Sequence, residues 1–114
     1  MIGAGVLLAT VVAVFLWLNR QKPVDPAVQR LANLADLADH ACLVNSSESS
    51  AVSLQVKINA IKAVDASAGV EQQRAMARGA TEALTGELLK QENSEIRACM
   101  DPWSKQLREM AAKL

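Results

Sequence analysis

Val52-Ser53-Leu54-Gln55-Val56-Lys57-Ile58-Asn59 alternates apolar and polar side chains, the period-two pattern of a half-buried strand. Which way this stretch folds decides the class of the whole chain. No second run in the sequence offers such a strand a partner, and an unpaired strand leaves its backbone N–H and C=O groups unsatisfied. The same segment carries Leu54, Ile58, Ile61 and Val64 at helical spacing. The reading is therefore a helix over 51–68, with Gly69 as the break, and an all-α fold.

Working outward toward the N-terminus, Asn45-Ser46-Ser47-Glu48-Ser49-Ser50 is a polar turn. Before it, Val28, Leu31, Ala35, Ala38 and Cys42 recur at helical spacing, widened by Leu34 and Ala41. Asp25-Pro26 is a start signal for this helix: Asp25 can cap free N–H groups, and Pro26 at the first position forfeits no hydrogen bond. The spacing predicts a helix over 26–44.

Toward the C-terminus, a helix is predicted over 70–92 with Val70, Ala77, Leu84 and Leu88 inward. Ala75, Gly79, Ala83 and Gly86 form a second face of small residues. Interior glycines each cost about 1 kcal/mol relative to alanine, so close packing against a neighbour is expected there. Asn93-Ser94 can cap a turn carrying Ile96, Cys99 and Met100, after which Asp101-Pro102 repeats the Asp-Pro start. Trp103, Leu107, Met110 and Leu114 share one face of the final stretch, and Pro102 is expected to kink or split it. A membrane-surface role for that face, with Lys105, Arg108 and Lys113 beside it, is the weaker reading; Asp101 and Glu109 dilute its basic side. Four helical segments with short turns imply an antiparallel bundle over 26–114, or an extended helical hairpin.

Ahead of the bundle, residues 1–18 contain no charged side chain and one hydroxyl, Thr10. As a helix this run spans about 27 Å, close to the ~30 Å of a bilayer core. It lacks the basic leader of a signal peptide, and Phe15-Leu16-Trp17-Leu18 is too bulky for a cleavage site. The expectation is a single transmembrane anchor over 1–18, with Trp17 at the headgroups and a connector over 19–25. Gly5, Ala9 and Ala13 fall at i, i+4 and i+8, the small-residue face through which helices associate in lipid. Partners are accordingly the bilayer, and either a protein of a membrane complex or a second copy bound through the anchor. Arg20, Lys22 and Arg30 follow the run, so the positive-inside rule places the bundle in the cytoplasm.

The 12 basic and 12 acidic residues all follow Leu18 and cancel, and with one Phe, two Trp and no Tyr they exclude a nucleic-acid face. Cys42 and Cys99 are the two cysteines. Up-down topology brings both toward the same end on apolar faces, where they are either buried thiols or a disulfide. A disulfide implies an oxidising compartment such as a periplasm, against the charge rule. His40 stands alone, two residues from Cys42 and on the opposite side of a helix, with Asp36 one turn before it. No catalytic, cofactor-binding or metal-ligating set is expected, and no phosphate loop or zinc spacing occurs. The sequence thus points to a non-enzymatic, membrane-anchored accessory or scaffold subunit that interacts with another protein. The alternative is a periplasm-facing, disulfide-stapled envelope protein of the stress, lysis or surface-exclusion type.

Overall fold

Four helices run through residues 24–114, the part of the chain that the computed structural model describes: α1 (Pro26–Cys42), α2 (Ser49–Lys62), α3 (Val70–Leu89) and α4 (Ser94–Ala112). There is no strand among the described residues. The alternating stretch lies in α2, and the helix explains both halves of its pattern. Leu54 and Ile58 face inward with Ala51 and Ile61, while Val52 and Val56 stand on the outer face, each 57% exposed. Half of the apolar positions that made a strand plausible are therefore surface valines.

Each helix packs against its sequence neighbours, and α4 returns to α1, with a further diagonal contact between α1 and α3. This closes an antiparallel bundle and removes the extended hairpin as an arrangement of the described residues. Its core is one cluster: Val28, Leu31, Ala35 and Ala38 from α1 meet Leu54, Ile58 and Ile61 from α2, Ala77, Leu84 and Leu88 from α3, and Ile96, Met100 and Leu107 from α4. Trp103, Met110 and Leu114 pack half-buried against it, so the apolar face of α4 belongs to the core.

Three expectations are corrected. Asp25 makes no side-chain cap; its carboxylate meets Arg74 Nε at 3.2 Å, and its carbonyl accepts the first helical bond from Gln29. Of the kink or split expected at Pro102, the split does not occur: α4 runs unbroken from an Asn93 cap whose side chain accepts from the N–H groups of Glu95 and Ile96. Pro102 lies on the exposed side, and so does Ala98, the residue whose carbonyl it leaves without a helical donor; water can satisfy that carbonyl. The small-residue face of α3 does not pack within the bundle. Ala75, Gly79, Ala83 and Gly86 are all exposed, and a Cβ at Gly79 or Gly86 would touch nothing within 4 Å.

The inward stripe of α3 also begins one turn later than expected, because Val70 is 49% exposed and Gln73 is 4% exposed. Gln73 earns that burial by tying three strands of chain together. Its Oε1 accepts from the Asp25 N–H at 2.8 Å, and its Nε2 donates to the carbonyls of Ala68 at 2.8 Å and Ala66 at 3.4 Å. The point where the connector enters the bundle is thereby pinned to the α2–α3 turn and to α3.

Among the described residues no helix is long and apolar enough to cross a membrane. The apolar run 1–18, with Gly5, Ala9 and Ala13, lies outside the described residues.

Two substitutions test this arrangement by thermal unfolding followed by circular dichroism. Gly79→Ala should stabilise the chain by about 0.5–1 kcal/mol, since it gains helix propensity and meets no neighbour. Gln73→Leu preserves approximate volume but strips the half-buried Asp25 N–H and Ala68 carbonyl of their partner, and should cost about 1–3 kcal/mol.

Candidate functional site

The end of the bundle far from the connector is built from the C-terminus of α1, the turn 43–48, the turn 90–93 and the first turns of α4. Cys42 closes α1, and Cys99 sits in the second turn of α4. Their sulfurs are bonded, with Cα atoms 5.8 Å apart across a sequence separation of 57 residues, and no free cysteine remains among the described residues. Closing a loop of that length contributes about 4 kcal/mol by restricting the unfolded chain. The bridge joins the first helix to the last, which no turn connects.

Beside the bridge lies an open cleft of about 390 Å³ lined by His40, Asn45, Ser46, Glu48, Asn93 and Glu95. A second cleft, about 590 Å³, shares Glu48 and Asn93 with it and continues over Ser49, Ser53, Glu87, Lys90 and Glu92. The two clefts are thus lined mainly by carboxylates, hydroxyls and amides, with Lys90 their one lysine or arginine. Part of it is already self-paired: the Ser53 hydroxyl donates to Glu87 Oε1 between α2 and α3, and Gln91 Oε1 accepts from the Asn93 N–H at 3.0 Å.

His40 and Cys42, expected on opposite sides of α1, both line the first cleft, because it wraps around the C-terminal end of that helix. They do not form a nucleophile and base, since the sulfur is committed to Cys99. His40 Nδ1 instead lies 2.8 Å from the Asp36 carbonyl and 3.7 Å from its carboxylate.

Asp36, Asp39 and His40 place one ligand atom each within 4.8 Å of one another, on the side of α1 that faces α2. The chain supplies its own cation there. Lys62 donates to Asp36 Oδ1 from α2, and Gln55 Nε2 donates to Asp39 Oδ1 at 3.1 Å. The Lys62 hydrogen bond, aided by the charges of Lys62 and His40, holds the Asp36 carboxyl below its ordinary 3.8; the same bond raises Lys62 above its ordinary 10.5. The arrangement ties α1 to α2, and a metal ion would first have to displace an ammonium.

Sequence reasoning placed no role on Gln73, Lys62 or Gln55. The signal for Gln73 was its phase: it lies one turn before Ala77 on the stripe that continues to Leu84 and Leu88. Nothing comparable marked Lys62 or Gln55, whose partners are set by the register between two helices.

Compared with protein-family models, curated proteins and solved structures, the chain matches none.

The charge pair has a defined pH signature. A lowered carboxylate pKa gives stability that is present above the unfolded value and lost as pH falls through the folded one; the raised Lys62 value gives stability lost only as pH rises through it. Carboxyl-detected NMR should show Asp36 titrating at higher pH in Lys62→Met than in the natural chain. An unchanged midpoint would remove the ion pair from the solution structure.

Proposed function

We infer that this chain is a non-enzymatic interaction domain tethered to a membrane by residues 1–18, with its bundle on the oxidising side, as in a periplasm. The observation that carries this reading is the Cys42–Cys99 bridge. Disulfides persist in oxidising compartments and are rare where thiol reductants maintain free cysteines. Arg20 and Lys22 favour the opposite side by the positive-inside rule. That rule is read over short loops, and long domains cross largely regardless of charge, whereas a structural bridge between the first and last helices needs its compartment throughout the life of the protein. The envelope-facing reading is thus preferred over the cytoplasmic accessory subunit.

Geometry supports the tether. The connector reaches the bundle at Asp25, clamped by Gln73 and Arg74, while α1 carries the chain away over 17 residues, about 25 Å at helical rise. The polar, bridged end then points away from the bilayer, where a protein partner can reach it. Its side chains offer hydrogen bonds and negative charge, while His40 rests on the Asp36 carbonyl and Cys42 is bonded to Cys99, as suits recognition more than turnover.

Thiol trapping on intact cells tests the compartment. With a maleimide that does not cross the inner membrane, Cys42 and Cys99 should label only after an equally impermeant reductant has been added. Free thiols that resist the reagent until the cells are lysed would put the bundle in the cytoplasm and overturn the reading.

A further inference from the structure

Leu89 is 70% exposed, the most open large apolar side chain among the described residues. It stands at the edge of an apolar groove of about 470 Å³ between α3 and α4, lined by Thr81, Thr85, Gly86, Ala111 and Ala112 with Arg78, Glu82 and Arg108 on its rim. Leu89 and the groove together make this the apolar part of the α3–α4 face. Through the same place runs the outer row Glu82, Gly86 and Lys90, at i, i+4 and i+8 of α3 and its cap, all exposed. Neither Glu82 nor Lys90 forms an ion pair among the described residues.

We propose that a second copy of this chain covers this face, its α3 crossing the first antiparallel about a twofold axis at Gly86. One symmetry operation then makes every contact twice. Glu82 of each copy faces Lys90 of the other, whereas a parallel crossing would set Glu82 on Glu82 and Lys90 on Lys90. Because the axis lies across the helices, the α4 side of one copy overlies the α4 side of the other. Leu89 of each copy therefore descends over the other's groove, near Thr85 and Leu89. Gly86 sits at the crossing point, where the two backbones come closest. Within one copy nothing approaches its missing Cβ within 4 Å, so the bundle itself has no use for a glycine at a position where alanine makes a better helix. The crossing gives it one. This contact goes beyond the membrane-tether reading and holds whichever compartment the bundle occupies.

Cross-linking of the full-length chain in detergent micelles decides it. Gly86→Cys puts a thiol on the axis, while the native cysteines are already bridged to each other. Mild oxidation should yield a covalent dimer from Gly86→Cys and about tenfold less from Val56→Cys, which lies on the outer face of α2. In the Gly86→Cys chain, Glu82→Lys should cut the cross-linked fraction, and adding Lys90→Glu should restore it. All these positions are exposed, so the fold tolerates the changes. Association through residues 1–18 alone would cross-link 86 and 56 alike and ignore the charge swap. That result, or no cross-link at 86 because a different protein fills the groove, would overturn the proposal.

Discussion

The return of α4 onto α1 is the contact on which the bundle depends. Helices of 17, 14, 20 and 19 residues are marginal alone, and each brings one apolar stripe that water would otherwise wet. Turns hold α1 to α2, α2 to α3 and α3 to α4, but α1 and α4 must find each other across most of the domain. Only their meeting brings Met100 and Leu107 into the same cluster as Val28 and Leu31 and seals the core. The Cys42–Cys99 bridge sits at that one seam without a turn, where a covalent link removes the most freedom from the unfolded chain.

The two ends of the bundle are built differently, and the difference bears on what the chain does. At the connector end, polar groups are spent on holding the fold: Gln73 is sealed between Asp25 and the α2–α3 turn, and Arg74 grips the Asp25 carboxylate. At the bridged end, polar groups line open clefts and several keep free hydrogen-bonding capacity toward solvent.

Much of the fold was legible because helical periodicity is a property of single segments. Leu54, Ile58 and Ile61 declared α2 despite the alternation around them, and Val28, Leu31, Ala35 and Ala38 declared α1. What could not be read depended on where a face points in the assembled bundle. Gly79 and Gly86 suggest close packing by composition, yet their row faces solvent, because α3 spends its inward side on Gln73, Ala77, Thr81, Leu84 and Leu88. Asp101-Pro102 looks like a helix start as much as Asp25-Pro26 does. Asn93 caps α4 eight residues earlier, and an exposed proline on a packed helix costs less than abandoning the core contacts of Met100 and Leu107. Of the bridged end, sequence order and up-down topology brought the two cysteines together, whereas Lys62 on Asp36 and Gln55 on Asp39 required the register of α1 against α2.

The bridge also fixes how the domain carries load. Tension applied between Val24 and Leu114 follows the shortest covalent path: along α1 to Cys42, across the sulfurs, and back along α4 from Cys99. Everything from 43 to 98, including the whole of α2 and α3, hangs off that path as a side loop that bears no tension. Reduction of the bond would place those residues in series, adding 57 steps of chain and about 200 Å of contour length at full extension. One pair of electrons thus sets the difference between a short, stiff spacer and a long, extensible one.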